Sequence, residues 1–208
     1  MLEFHEYAER LASSAPTPGG GSAAALVGAL AAALCAMVAR IVAEGKVDAE
    51  RAGTCRAIAD EADRLRGELL ISRDADERAF GQVVAAQRLP KATPEERAIR
   101  EELLQQALVG AAAAPLEVAR RASAVSALAN ATLNLRHAAL ASDVLCAAEF
   151  AAAALAASIA NVRVNHLFLR DRALIDTNEG EIAELERESH HLLERVRSGV
   201  NEILLRRG

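Results

Sequence analysis

Residues 13–26 read Ser-Ser-Ala-Pro-Thr-Pro-Gly-Gly-Gly-Ser-Ala-Ala-Ala-Leu, and the turn they contain decides how the rest of the chain is read. Two prolines and three consecutive glycines in the first ten positions are incompatible with the interior of a helix or sheet. Strong helix formers follow at once, so a rigid loop feeds a helix N-terminus. The bare glycine backbone can approach another group closely, and the first N–H groups of the helix have no intrahelical partner. Two readings stay open at this point: an anion or carbonyl site at the helix start, or a tight turn with Ser22 as the N-cap. No Gly-Lys-Ser/Thr follows, which excludes a Walker-type phosphate loop.

Outward from that turn, residues 23–44 are apolar almost all round, and Ala24, Gly28, Ala31 and Ala32 are small enough for very close packing. This pattern predicts a central buried helix of a bundle or a dimer seam. Phe4, Tyr7, Phe80, Phe150 and Phe168 are the aromatic residues of a 208-residue chain that is 52% hydrophobic. Its core must therefore be built from Ala, Leu, Val and Ile at short helix–helix distances. The fold class expected is all-α: a multi-helical bundle with two buried Ala-rich central helices and a long amphipathic C-terminal helix, in one domain over residues 1–208.

A formal charge of −5 and the lack of a basic patch interleaved with aromatics argue against nucleic-acid binding. Cys35, Cys55 and Cys146 have no Cys-x-x-Cys spacing, and no signal peptide is recognisable; the expectation is three free thiols in a cytoplasmic protein. Residues 23–39 and 144–162 are the most apolar stretches. The first stops at Arg40 and the second contains Glu149 and Asn161, so both read as core helices and no membrane span is expected.

Along the chain, residues 2–13 carry Phe4, Ala8 and Leu11 near helical spacing, and Asp48 is placed to cap a long or kinked helix that ends before Pro90. Thr93, Pro94 and Glu96 form a capping-box start. That helix runs by Leu103 and Leu108 to Pro115, which either kinks it or begins the next. Ser142-Asp143 opens the second Ala-rich helix, residues 171–177 form a connection, and residues 178–205 repeat Ile182, Ser189 and Val196 near heptad spacing.

Lysine occurs only at Lys46 and Lys91 among 24 basic residues, and unlike arginine it can lose its proton. Asp76, Asp74 and Asp143 stand beside apolar helix surface, where a carboxylate can be tuned toward acid/base work, with capping or solvation as the plain alternative. His137, His166, His190 and His191 have no metal-ligand spacing, so no metal is expected.

Several of these residues together carry a resemblance. The run LASSAPTPGGGSAAALVGALAAALCAMVA at residues 11–39, Gly45-Lys46, the Asp76 to Phe80 segment, Leu89-Pro90-Lys91, Ser142-Asp143 and Asn161-Val162 with Asn165 occur in order. They resemble the formiminotetrahydrofolate cyclodeaminase / methenyltetrahydrofolate cyclohydrolase family. The resemblance implies a helical homodimer acting on tetrahydrofolate one-carbon derivatives, with the folate as substrate and no further cofactor. It implies Asp143 and Asp76 in acid/base or cation-stabilising roles and Lys46 in positioning. Folate contact falls to Pro18, Gly19, Gly20, Gly21 and Ser22, with Ser142, Asn161, Asn165, Arg136 and His137 around it. Arg136-His137 stand where the family carries Gly-Asn, Ala139 where a second Asn falls, and Val47-Asp48 replace a Lys-rich continuation. A repurposed or non-catalytic helical homo-oligomer that binds another small anion or a protein partner is therefore the alternative.

Overall fold

Alanine sets the spacing of the helices. In the computed structural model, which describes residues 4–205, α1 spans Phe4–Leu11, α2 Gly20–Glu44, α3 Ala49–Gln87, α4 Pro94–Leu133, α5 Ala141–His166 and α6 Arg172–Leu205. A 3-10 turn at Ala138–Leu140 leads into α5, and no strand occurs among the described residues. Helices α2, α3, α4 and α5 close into a ring, α2 meets α4 across its middle, and α6 lies over α4 and α5. Ala25, Ala31, Ala32 and Ala39 of α2 are buried, as are Ala119 and Ala122 of α4 and Ala151 and Ala154 of α5. At Gly28 even a methyl would meet Leu69 at 3.3 Å and Ala154 at 3.5 Å, so α2, α3 and α5 come together there closely enough to favour glycine. Leu65, Leu69, Ile159 and Ile182 fill the space that alanine leaves.

Local chemistry explains most helix ends. Asp48 caps α3 by accepting the Arg51 N–H at 2.8 Å. At α4 the capping box is complete: Thr93 accepts from the Glu96 N–H and Glu96 accepts from the Thr93 N–H, both at 3.1 Å. The helix then runs unbroken through Pro115, whose buried ring packs among the small side chains of the core. Asp171 accepts the Leu174 N–H at 3.0 Å, so α6 starts at Arg172, six residues earlier than the sequence suggests.

Two other expectations are corrected. Ser22 is not the N-cap: Gly19 is, and Gly20, Gly21 and Ser22 form the first turn of α2, because the buried Ser22 hydroxyl has partners elsewhere. In α1 the inward residue is Tyr7 rather than the Phe4, Ala8 and Leu11 face; Phe4 is 71% exposed. Leu2, where that helix was expected to begin, lies outside the described residues.

The two Ala-rich helices are buried on one side only. Leu30, Met37 and Ile41 of α2 and Phe150 of α5 are each 37–47% exposed, beside exposed Cys146, Ala153 and Ala157. Both helices are long and apolar enough to cross a membrane by length and composition. Their outward faces form adjoining apolar stripes.

Candidate functional site

The start of α2, the later half of α3, the middle of α4 and the end of α5 enclose a cleft of about 210 Å³. Gly19, Gly20 and Gly21 form one wall, Asp76 and Phe80 another, and Asn161 and Asn165 a third, with Ala111 at the back.

The glycines are there because side chains take their place. A Cβ on Gly21 would lie 2.2 Å from Asp76 Oδ1, and one on Gly20 would lie 3.2 Å from Asn161 Nδ2. Asp76 is thereby pressed against the first turn of α2. Burial pushes its carboxyl above the ordinary range, the Ser22 backbone N–H draws it partly back, and the Glu77 charge raises it further. A carboxyl so placed gives up its proton less readily than an exposed aspartate and is suited to exchanging it with a ligand.

The two asparagines are oriented by backbone carbonyls. Asn161 Nδ2 donates to Ala157 O at 2.8 Å; Asn165 Nδ2 donates to Ala111 O at 2.8 Å and Asn161 O at 2.9 Å. With both its N–H bonds spent, Asn165 keeps Oδ1 as an acceptor toward the cleft. The wall thus offers first-turn N–H groups, an amide oxygen and a tunable carboxyl around an apolar floor of Phe80 and Ala111. That set suits a flat heteroaromatic ligand with several nitrogen atoms and a reacting centre that changes charge.

Asp76, Gly19, Gly20, Gly21, Asn161 and Asn165, separated by up to 146 positions, line this one cleft. Two neighbours do not face the cleft. Pro18 is buried behind the loop and follows a cis peptide, and the Ser22 side chain points away to Tyr7 and Glu77.

Lys46, Arg136, His137, Ser142 and Asp143 lie elsewhere. Lys46 and His137 border a shallow pocket with Arg51 at the far end of α2. Ser142 and Asp143 occupy the first turn of α5, whose other end carries Asn161. α2 is 25 residues long, so the two ends are roughly 36 Å apart. Within one chain, the expected catalytic set is split in two. At the far end all five are exposed or half-exposed, and Arg136 has a positive φ of 48°.

Sequence reasoning passed over Thr17, Pro16 and Ala111, which are cleft walls without chemical signature. It also passed over Tyr7, Arg10 and Glu77. A tyrosine that is the only one in the chain, on an otherwise exposed short helix, was the one signal available.

The chain is similar to known proteins over nearly its whole length. Residues 3–184 match the family described as formiminotransferase-cyclodeaminase. A methenyltetrahydrofolate cyclohydrolase from Methylorubrum extorquens is 36% identical over 94% of this chain and 96% of its own. The formimidoyltransferase-cyclodeaminase of Rattus norvegicus is 37% identical over 56% of this chain, which amounts to 22% of that longer protein. Among solved structures, a formiminotetrahydrofolate cyclodeaminase from Thermotoga maritima superposes with a TM-score of 0.87, at 27% identity and 98% coverage of both chains.

Proposed function

The chain belongs to the formiminotransferase-cyclodeaminase family, and from that premise we propose that it is a folate one-carbon enzyme working on the N5–N10 bridge of tetrahydrofolate. Hydrolysis of the methenyl bridge is the leading reaction, supported by the full-length likeness to a methenyltetrahydrofolate cyclohydrolase. Closure of an N5-formimino group onto N10, with loss of ammonia, is the second, supported by the likeness in fold to a cyclodeaminase. The observation that carries the reading is the placement of the Asp76 carboxyl, pressed against Gly21 in one cleft with Asn161 and Asn165, where burial pushes it above the ordinary range.

Both reactions pass through a tetrahedral carbon between N5 and N10. In hydrolysis, water adds to the amidinium carbon and loses a proton; the adduct then opens as one C–N bond breaks and that nitrogen takes up a proton. In cyclodeamination, N10 adds to the formimino carbon and the departing nitrogen leaves as ammonia. Asp76 can accept the first proton and return it to the leaving nitrogen, which needs a carboxyl poised between its two states. Asn165 Oδ1 and the α2 first-turn N–H groups hold the pterin ring. Neither sequence of steps needs a redox carrier or a metal.

We also propose a homodimer built on the α2 and α5 stripes. A second copy placed antiparallel, by a two-fold axis across the middle of these helices, covers Leu30, Met37, Ile41 and Phe150. Asp143 and Asn161 are 18 positions apart, five helical turns, and so share one side of α5. The same two-fold carries one copy's Lys46, Arg136, His137, Ser142 and Asp143 toward the other copy's Asp76 cleft. The split set then becomes one site with basic side chains available to the anionic folate tail. Three free cysteines fit a reducing, cytoplasmic setting.

Absorbance assays with methenyl- and formimino-tetrahydrofolate test the activity; turnover of either supports the reading, and failure of both with no folate binding by calorimetry rejects it. Met37→Arg tests the dimer. Light scattering should report monomers and activity should fall by at least tenfold; a fully active monomer would remove the shared site.

A further inference from the structure

Behind the glycine wall lies a hydrogen-bonded chain that the reaction outlined above does not use. Tyr7 is 4% exposed and is the one buried residue of α1; its hydroxyl stands 3.0 Å from Ser22 Oγ. Ser22 Oγ, wholly buried, stands 3.0 Å from Glu77 Oε1. Arg10 donates to Glu77 Oε2 at 3.4 Å, and the Arg73 guanidinium lies over the Tyr7 ring, 5.6 Å from its centre. An ionised Glu77 can only accept, so Ser22 donates to it and Tyr7 donates to Ser22. The order of donors is thus fixed from the phenol to the carboxylate. Ser22 joins this chain to the cleft, since its backbone N–H draws the Asp76 carboxyl down while its hydroxyl donates to Glu77.

We propose that Glu77 is the positioning residue for Asp76: anchored by Ser22, Tyr7 and Arg10 on the far side of the α2 first turn, it fixes both the place and the charge state of the cleft carboxyl. Asp76 and Glu77 are adjacent on α3, one facing the cleft and one facing away from it, and a fixed negative charge at Glu77 opposes a second at Asp76. Few other charges compete. On α3, Arg73 is paired with Asp74; α1 offers Arg10, already on Glu77, and the neutral Tyr7. The α2 first turn and Ala111 of α4 carry no charge, and α5 presents the amides of Asn161 and Asn165 while Arg163 is held by Glu179 and Glu186.

The inference rests on the folate reading, and its test keeps the two apart. Glu77→Gln keeps the shape and removes the charge; Glu77→Asp keeps the charge and shortens the reach. In full-length protein, Glu77→Gln should move the acid limb of the kcat–pH profile to lower pH, while Glu77→Asp should leave the limb in place and cut kcat about tenfold, as expected for a weakened charged hydrogen bond. Tyr7 is the sole tyrosine in a chain without tryptophan, so its ionisation can be followed directly in the ultraviolet. Burial first and the Glu77 charge after it push the phenol up, while the Ser22 hydrogen bond and Arg73 draw it back; Glu77→Gln removes one of the raising contributions and should therefore let the phenol ionise at lower pH. Tyr7→Phe should lower kcat with KM unchanged, and melting curves confirm that each variant is folded. An acid limb that coincides with wild type in Glu77→Gln, or an unmoved phenol titration, overturns the proposal. Absence of both turnover and folate binding in the wild type rejects the folate reading instead, and the Tyr7 titration, which needs no substrate, still tests whether a charged Glu77 is anchored beside Tyr7.

Discussion

Gly21→Ala is the sharpest perturbation the cleft allows, because it adds one methyl at the point where the carboxylate touches the helix. The new Cβ would stand 2.2 Å from Asp76 Oδ1, 2.6 Å from Cγ and 2.7 Å from Oδ2. Ordinary contact begins near 3.4 Å, so the carboxylate has to retreat by about 1.2 Å. Asp76 has two side-chain torsions on a rigid helix and cannot swing clear as a lysine could. A displacement of about 1 Å of a reacting group costs on the order of a hundredfold in rate. Overpacking costs roughly 1–3 kcal/mol, while alanine gains about 1 kcal/mol over glycine in a helix. The net loss in stability is then about 0–2 kcal/mol, a fall in Tm of less than about 8 °C for a chain of this size. Two neighbours serve as graded controls. A Cβ at Gly20 meets only the Asn161 side chain at 3.2 Å, and at Gly19, in extended backbone, it meets nothing within 4 Å. Steady-state kcat/KM with methenyltetrahydrofolate should fall about a hundredfold in Gly21→Ala, several-fold in Gly20→Ala and little in Gly19→Ala. A Gly21→Ala enzyme within threefold of wild type, or a Gly19→Ala enzyme as impaired as Gly21→Ala, refutes the argument that glycine is there to admit Asp76.

Three further outcomes follow from the same geometry. Asp76→Asn should abolish turnover yet raise Tm at neutral pH. With its carboxyl above the ordinary range, the folded state binds the proton more tightly than the unfolded chain; Asp76 therefore favours folding at low pH and loses that contribution as pH rises, so the advantage of Asn should fade in acid. Melting curves at pH 4 and pH 7.5 check the sign. Thr93→Ala removes one arm of the capping box and should cost about 1 kcal/mol with kcat/KM unchanged, because Ala111 of the cleft lies 18 positions along the helix from Thr93. Cys35, wholly buried with its thiol pushed up to about 12, should resist alkylation in the native protein, whereas Cys146 on the apolar stripe should label slowly in the dimer and fast in Met37→Arg.

What was legible in the sequence was whatever depends on neighbours along the chain. The Asp48 cap, the Thr93–Glu96 box and the alanine runs of α2 and α5 are local signals, and the helices obey them. Where a side chain had a distant partner, local rules misled. Ser22 looks like a cap, yet its hydroxyl is claimed by residues 15 positions upstream and 55 downstream, so the cap passes to Gly19. Phe4 looks like the core residue of α1, but Tyr7 goes inward because it brings a hydroxyl that the buried Ser22 and Glu77 can use. Pro115 looks like a break, and the surrounding core holds the helix through it.

The division of the motif residues between two ends is the part that no one-dimensional reading could supply, and it constrains the function more than any single contact. Residues 46, 142 and 143 belong to the same ordered string of motifs as residues 19–21, 76, 161 and 165, and the divergent Arg136-His137 pair lies with them, yet a 25-residue helix holds the two groups apart. If one chain were the working unit, the basic far end would have no part in chemistry at the cleft. The apolar stripe that joins the two ends along α2 and α5 supplies a reason for both facts at once: a surface of Leu30, Met37, Ile41 and Phe150 is costly in water, and covering it with an antiparallel copy brings far end to cleft. Mixed dimers decide the point. Asp76→Asn and Lys46→Ala subunits, each inactive or weakened alone, should recover up to about one wild-type site per mixed dimer when co-assembled, since one of the two clefts then draws an intact residue from each chain. Mixtures no more active than the average of their parents would place the whole reaction within the Asp76 end of a single chain.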